Sequence, residues 1–100
     1  MQVLFNWNDA NRSHLSEHGV SPEEAEQVVV NNPVDLEVQL RNGEDLTLQV
    51  GETDAGRILV VVTTWRDGGI RVITAFPANK KLRTLYESYR EEDGEGTENS

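Results

Sequence analysis

The sequence predicts an α+β fold with two N-terminal helices and a C-terminal helix around a mainly antiparallel sheet, in the order β-α-α-β-β-β-β-α. Three observations carry this prediction. Apolar residues alternate with period two between residues 34 and 50, a helix-start signature stands at residues 21–24, and apolar residues recur at helical spacing within residues 79–90. A chain of 100 residues supports one hydrophobic core. We therefore expect a single domain over residues 1–90.

The chain opens with a predicted strand and helix. Residues 2–5 are a short apolar run of the kind that forms strands. Asn8 or Asp9 can cap a helix over about residues 9–18, and Gly19 is a typical residue at a helix end. The first helix is therefore predicted to follow the opening strand almost directly.

The second helix has the clearest start signal in the chain. Ser21 can accept a hydrogen bond from the amide of Glu24, whose carboxylate can reach back, and Pro22 suits the first helical position. Pro33 lies just after the last helical residue, where a helix cannot continue. These signals predict a helix over about residues 22–31.

Four strands are predicted to follow. Residues 34–50 alternate on both sides of Asn42 and Gly43, which predicts a hairpin with one buried face. Residues 58–62 are apolar on both faces, so they predict the central strand. Residues 70–75 follow a glycine-rich turn and predict the last strand.

The C-terminal segment divides into a helix and a tail. Within residues 79–90, Leu82, Leu85 and Tyr86 are spaced three and four residues apart, which predicts an amphipathic helix on the sheet. Residues 91–100 are acidic and have no residue that could anchor them in a core. We expect them to form a disordered acidic tail.

The composition excludes several classes of protein. The chain has 36% hydrophobic and 27% charged residues, the balance of an ordinary globular domain. It has no cysteine, which excludes disulfide scaffolds, thiol nucleophiles and cysteine-ligated metal sites. No apolar run approaches the roughly 20 residues that a bilayer span needs, and the first residues lack the pattern of a secretory signal. We therefore expect a cytoplasmic protein with no membrane partner.

The charge of the chain is distributed unevenly. The formal net charge is −9 at pH 7, and residues 1–56 carry eleven acidic residues against two basic ones. Residues 57–90 carry seven basic residues against two acidic ones, and residues 91–100 add five acidic ones. Because phosphate binding depends on Lys and Arg, a surface that binds an anion is predicted to lie within residues 57–90.

Two histidines stand four residues apart in the first predicted helix. His14 and His18 share one helix face with Asn11. Three hypotheses fit this pattern: half-buried hydrogen-bonding groups, a catalytic or RNA-contacting pair, or two ligands of a metal ion. The sequence indicates no third ligand, so the structural hypothesis is favoured and the metal site is the weakest. We predict no metal and no other cofactor.

Seven basic residues form the only dense cationic set in the sequence. If the last predicted strand borders the last helix, Arg71 and Lys80 or Lys81 converge near the strand's end, and Thr74 and Tyr86 supply hydroxyl groups there. Such a group can cleave RNA without a metal ion, since a cation stabilises the phosphorane and a neighbouring group moves the proton of the 2′-hydroxyl. The alternative is that the basic residues only form a solvated helix face. The set comprises Arg57, Arg66, Arg71, Lys80, Lys81, Arg83 and Arg90.

Trp7 and Trp65 are the only tryptophans. Trp7 lies next to the first helix cap and Trp65 at the end of a predicted strand. Both positions favour packing at the edge of the core over stacking on nucleobases.

The N-terminal part of the chain resembles the start of the BrnT-type toxins, which reads F-x-W-D … H-G-V-S-x-E-E-A. The matching residues here are 5–8, Asn11, His14 and 18–25. Farther along, residues 56–62 resemble the G-R-x-L-V-V-V strand of the family and residues 71–75 its R-I-I-S-A-R strand. The family's T-R-R-E-R-x-x-Y helix is matched by Lys80, Lys81, Arg83 and Tyr86. The matches span about residues 3–90 in the family's order.

This resemblance implies a RelE-like ribonuclease fold, cleavage of RNA, and a DNA-binding antitoxin that covers the active surface. Carried over by residue, it implies RNA-binding roles for Arg57 and Arg83. It implies catalytic roles for Arg71, Lys80, Lys81 and Tyr86, and less directly for His14 and His18.

The sequence departs from the family at two of the matched positions. Phe76 stands where the family has an arginine, and Leu82 where it has a glutamate. Losing one charge-stabilising group typically costs about a hundredfold in rate. Two hypotheses follow: an endoribonuclease toxin, weakened or inactive because of Phe76, or a non-catalytic interaction module of the same fold that binds an antitoxin-like partner. A homodimer through an edge of the sheet is a further hypothesis.

Overall fold

The computed structural model of the chain describes residues 4–99, and the side chains of residues 4–91. Three helices and four strands confirm the α+β prediction. None of the described helices is long and apolar enough to cross a membrane. The elements are α1 Asp9–Glu17, α2 Pro22–Val30, β1 Val34–Arg41, β2 Glu44–Glu52, β3 Ile58–Arg66, β4 Gly69–Pro77 and α3 Lys80–Asn99.

The four strands form one antiparallel sheet in the order β1-β2-β3-β4. The predicted Asn-Gly hairpin is confirmed, because Asn42 and Gly43 both have positive φ (53° and 80°), as a tight two-residue turn requires. Asp67 and Gly68 repeat this geometry between β3 and β4. The predicted central position of residues 58–62 is also confirmed, since β3 pairs on both sides.

The predicted opening strand lies partly outside the described residues. Among the described residues only an isolated parallel bridge joins Phe5 to Ile70, and residues 1–3 lie outside the description. The amide of Ile70 donates to the carbonyl of Leu4 at 2.8 Å, and the amide of Asn6 donates to the carbonyl of Ile70 at 2.9 Å. After this bridge α1 covers the edge of β4 from Val72 onward.

The predicted caps of both N-terminal helices are confirmed. The side chain of Asn8 accepts from the amide of Asn11 at the start of α1. At the start of α2, Ser21 accepts from the amide of Glu24 at 3.1 Å, and Glu24 accepts from the amide of Ser21 at 3.0 Å. This reciprocal capping box satisfies two amide groups that a helix start otherwise leaves without partners.

The sheet has a core on each face. Leu59 and Val61 of β3 pack with α1 and α2 on one face, where Leu15 and Val28 are fully buried. Val60 points to the other face and packs with residues of α3 and the strands beside it. Alternation along one central strand therefore serves two separate clusters, which explains its continuous apolar run.

An ion pair joins α2 to the start of β3. Arg57 donates to both carboxylate oxygens of Glu24, at 3.0 and 2.9 Å, and to the carbonyl of Gly19 at 3.0 Å. The hydrogen bond from the Ser21 backbone, and after it the Arg57 guanidinium, lower the pKa of Glu24 from its ordinary value of 4.5. The interaction is partly exposed, so its contribution to stability is modest.

The last helix continues to Asn99, beyond the predicted end at Arg90. Ser100 and the side chains of residues 92–99 lie outside the description. The prediction that residues 91–100 form a disordered tail stays a prediction.

Gly51 tests the packing between β2 and α2. A Cβ at this position would lie 2.9 Å from Cγ1 of Val28 and 3.1 Å from Cβ of Pro33. Gly51→Ala should therefore lower the free energy of unfolding by about 1–3 kcal/mol, measured by urea denaturation. Adding Val28→Ala should cost less than the sum of the two single changes, because it removes one clash. Full additivity would contradict this account.

Glu24→Gln tests the charged part of the α2 link. Since folding lowers the pKa of Glu24, the carboxylate stabilises the protein above the ordinary pKa, and this stabilisation is lost as the pH falls through the lowered folded value. The variant should be less stable than wild type by about 0.5–1 kcal/mol at pH 7, with a gap that closes in acid. The exposed neighbouring change Glu23→Gln is the control. A gap for Glu24→Gln that is independent of pH would contradict the charge-based explanation.

Candidate nucleic-acid interface

Helix α1 lies along the outer edge of β4 in a regular alignment. The side chain of Asn11, only 6% exposed, donates from Nδ2 to the main-chain carbonyl of Val72 at 2.6 Å. Nε2 of His14 and Oγ1 of Thr74 are hydrogen-bonded at 3.0 Å. Every second residue of the strand thus meets the next turn of the helix, which fixes α1 against the edge of the sheet.

Farther along the same contact between α1 and β4, the ring of His18 meets the ring of Phe76. The ring of His18 stands edge-on to the ring of Phe76, with centroids 6.2 Å apart, and the rings of His14 and His18 stand edge-on at 5.3 Å. Both histidines are exposed. The predicted half-burial of the pair is therefore wrong, although His14 is a hydrogen-bonding group as predicted and its ring stays accessible from solvent.

A bulge in β4 sets which side chains share a face. Thr74 pairs with Val62 and the next pair joins Val72 to Thr63, so Ile73 is an extra residue without a partner on β3. Arg71 pairs with Thr64, which points to the same face as Val62. The bulge therefore places Arg71 and Thr74 on one face, although an unbroken alternation would separate them.

Arg71 is partly buried on this face. Its Nε atom is shielded from solvent and has no hydrogen-bond partner among the described side chains and main chain. An arginine in a partly desolvated position interacts more strongly with an anion than one in open water. The same strand thus carries a cation at Arg71 and a histidine-bound hydroxyl at Thr74.

The basic residues of the segment 57–90 divide into paired and unpaired groups. Three of them are held by carboxylates from the acidic first half of the chain: Arg57 by Glu24, Arg66 by Glu44 at 3.4 Å, and Arg90 by Glu52 at 2.7 Å. Within the side chains described, the other four form no ion pair. These four are Arg71, Lys80, Lys81 and Arg83.

Lys80 and Lys81 follow the end of β4 after a short connection. Lys80 begins α3 three residues after Pro77, and Lys80, Lys81 and Arg83 are all exposed. The side chain of Asn79 accepts from the amide of Leu82 at 2.9 Å and so orders the first turn of the helix. The helix start therefore carries its cations immediately beyond the end of β4 that holds Phe76.

Tyr86 lies in a different environment. It is 1% exposed and packs against Val50 and Val60 in the core beneath α3. Its hydroxyl accepts from Arg90 at 3.2 Å and lies 3.5 Å from Oε1 of Glu52. The Tyr86 hydroxyl first, and the Glu52 carboxylate next, raise the pKa of Arg90.

An open pocket of about 480 Å³ adjoins this Tyr86 group. Glu52, Glu87 and Glu91 line it, with Arg90 as the basic member of the lining. A pocket with this excess of carboxylates repels phosphate, so its chemistry does not suit RNA. The predicted convergence of Arg71 with Lys80, Lys81 and Tyr86 is wrong. Arg71 lies near the start of β4, about 20 Å along the strand from Pro77, and the lysines follow the other end of the strand. Tyr86 contacts Glu52 and Arg90 instead.

Arg57, predicted to bind RNA, is engaged in the link to α2 described above. Its partner is 33 residues earlier in the chain, so no local pattern reveals it. The bulge at Ile73 and the contact between His18 and Phe76 were also missed. The spacing of Asn11, His14 and His18 was the available signal for the helix–strand alignment.

The two tryptophans differ. Trp7 packs against the core beside α1 and α2, and its Nε1 donates to Glu26 at 2.6 Å, which confirms the prediction. Trp65 is 70% exposed, so its predicted core-edge packing is wrong. It lies one residue before the end of β3, at the turn end of the sheet.

Among the described residues, no three His, Asp or Glu side chains come together in a group that could hold a metal ion. The expectation that the protein uses no metal or other cofactor stays a prediction.

Comparison with known proteins identifies the family. The family model described as ribonuclease toxin, BrnT, of type II toxin-antitoxin system matches residues 7–81. The match covers α1, α2, the whole sheet and the start of α3, and it ends at Lys81. A search of curated proteins gave no match. The chain belongs to the BrnT family of ribonuclease toxins of type II toxin–antitoxin systems.

Proposed function

We propose that the chain is an endoribonuclease toxin that cleaves RNA at the surface formed by β4, α1 and the start of α3. One observation carries this proposal. The partly buried Arg71 and Thr74 lie on one face of β4, Thr74 is hydrogen-bonded to His14 of α1, and the unpaired cations of α3 follow the end of the strand. Membership in a family of ribonuclease toxins supports the same activity.

The chemistry follows from the groups on this surface. Arg71 would stabilise the negative charge that develops on the phosphorane as the 2′-oxygen bonds to phosphorus. His14 would take the proton of the 2′-hydroxyl, since an imidazole accepts and returns protons near neutral pH. The bond from phosphorus to the 5′-oxygen then breaks, the leaving oxygen takes a proton from water, His14 releases its proton to solvent, and a 2′,3′-cyclic phosphate remains. We assign the proton transfer to His14 rather than to Tyr86, because the Tyr86 hydroxyl is bonded to Arg90.

The exposed cations of α3 would hold the RNA backbone. Lys80, Lys81 and Arg83 form no ion pair within the described side chains, so they can replace the counterions of phosphate groups. A type II toxin has an antitoxin partner. We propose that this partner is a DNA-binding protein and that it covers the same surface, which would block RNA and keep the toxin inactive.

One observation favours the second hypothesis, a non-catalytic module that binds an antitoxin-like partner. Phe76 stands at the end of the candidate surface and packs partly against the core beneath α3. A phenyl ring cannot neutralise a phosphorane. An apolar side chain here suits a protein contact better than a phosphate contact.

Arg71→Ala tests the proposal directly. Induced expression of wild type in a bacterial host should arrest growth with loss of total RNA integrity, and Arg71→Ala should abolish both effects. With purified protein, the change should slow RNA cleavage by about a hundredfold or more. Arg90→Ala removes an equal charge that is already bonded to Glu52, and it should leave toxicity unchanged. Toxicity that survives Arg71→Ala would refute the assignment.

Phe76→Arg tests whether position 76 faces the reacting phosphate. If it does, a guanidinium there adds a charge-stabilising group, and cleavage by the purified protein should rise by about tenfold to a hundredfold. Circular dichroism confirms that the variant is folded. A harmless wild type with a toxic Phe76→Arg variant would mean an intact scaffold silenced at one position. If both are harmless, the non-catalytic module is the better account.

A further inference from the structure

The two edges of the sheet differ in whether another part of the chain covers them. The outer edge of β4 is covered by the bridge at Ile70 and by α1. The other edge is β1, whose eight residues pair only with β2 among the described elements. A strand in this position presents unpaired main-chain N–H and C=O groups, which form a template for another strand.

The outer half of β1 also exposes apolar side chains. Val38 is 63% exposed and Leu40 is 75% exposed. They stand two residues apart, opposite Thr47 and Asp45 of β2, so both lie on one face of the sheet. Single exposed apolar residues are ordinary, but two adjacent ones on an open edge favour association through that edge.

The bulge in β1 limits which residues can pair regularly. Asp35 pairs with Gln49 and Glu37 pairs with Leu48, so Leu36 is the extra residue. Regular alternation then runs from Glu37 to the end of the strand at Arg41. Within this five-residue stretch, residues 37, 39 and 41 share one face and residues 38 and 40 the other.

This stretch is complementary to itself. If two copies pair antiparallel with Gln39 opposite Gln39, Glu37 of each copy stands opposite Arg41 of the other, and Val38 stands opposite Leu40. Each of these pairs occurs twice, as a two-fold axis requires. Opposite charges and apolar residues are the pairs that stabilise neighbouring strands. The amide of the Gln39 side chain donates to Glu37 at 3.0 Å and holds this carboxylate on the same face.

Other registers lose this match. A shift that centres the pairing on Val38 would place Asp35 opposite Arg41, but the bulge at Leu36 puts these two on opposite faces. The register centred on Gln39, like any register centred on one residue, pairs odd residues with odd and even residues with even. Whichever set directs its main-chain groups outward therefore meets the same set in the other copy.

We propose that β1 is a homodimerisation surface, in which residues 37–41 of two copies pair antiparallel about Gln39 and join the two four-stranded sheets into one. The proposal is independent of RNA cleavage, because β1 and β4 lie at opposite edges of the sheet. In such a dimer the two β4 surfaces would lie at the far ends of the joined sheet, both accessible to RNA.

Charge reversal at the two ends of the stretch tests this surface. Glu37→Lys places a lysine opposite Arg41 of the second copy, and Arg41→Glu places a glutamate opposite Glu37. Each single variant should weaken dimerisation by at least about tenfold, since like charges would then meet at both ends of the pairing. An equimolar mixture of the two single variants should restore a dimer, because every facing pair is then of opposite charge. The double variant Glu37→Lys with Arg41→Glu should restore it as well.

Sedimentation velocity at about 0.15 M salt, over a range of protein concentrations, measures the dimer against the 11.2 kDa monomer. Glu23→Lys on the exposed face of α2 is the control, since it changes the net charge as Glu37→Lys does and should leave dimerisation unchanged. Wild type that stays monomeric throughout the range would overturn the proposal, as would a dimer that persists in both single variants. Loss of the dimer in the single variants without recovery in the mixture would overturn the register.

Discussion

The buried hydrogen bond between Asn11 and Val72 is the contact on which the arrangement of the candidate surface depends. The amide of a side chain on α1 satisfies a main-chain carbonyl at the edge of β4, where no fifth strand is present to do so among the described residues. An unsatisfied buried carbonyl costs about 1–3 kcal/mol, so this contact holds the helix in one alignment. His14 then meets Thr74 and His18 meets Phe76 as a consequence of helix and strand geometry. The same contact closes one edge of the sheet, and only the β1 edge is left open.

In the fold, acidic residues from the first half of the chain pair with basic residues from the segment 57–90. The acidic first half supplies Glu24, Glu44 and Glu52, and each pairs with an arginine of the basic segment. Within the described part of the basic segment 57–90, this pairing leaves the cations of β4 and of the start of α3 without an ion pair. A net charge of −9 is compatible with the proposed RNA surface, because the basic segment 57–90 contains only two acidic residues, Asp67 and Glu87. Local distribution, rather than the total, decides what such a small protein binds.

Local signals in the sequence predicted most of the fold. The capping box at Ser21, the Asn42-Gly43 turn and the apolar run of β3 each act through neighbours within a few residues, so they can be recognised without knowledge of tertiary contacts. The predicted opening strand lies partly outside the described residues, and its described part forms the bridge at Phe5. The exposure of Trp65 was missed, since it depends on tertiary packing that no local pattern shows.

The candidate site was less accessible from the sequence. Arg71 and Thr74 share a face only through the bulge at Ile73, which neither spacing nor hydropathy signals. Arg57 and Tyr86 are of types that suit RNA chemistry. However, Arg57 is held by Glu24 and Tyr86 lies against Glu52, and both partners are far away in sequence. Family resemblance identifies the candidate positions, and only the tertiary contacts show which of their side chains remain free to contact RNA.

The most direct test of this account is a nuclear magnetic resonance titration of the protein with a short RNA made uncleavable by a 2′-deoxy sugar at the attacking position. The side-chain Nε–H of Arg71 and the imidazole signals of His14 are the reporters. The account predicts that these signals shift together on addition of RNA, while the Nε–H of Arg57 and Arg90 changes little. Shifts confined to Arg57, Arg90 or the β1 edge, or an RNA that binds without perturbing Arg71 and His14, would contradict it.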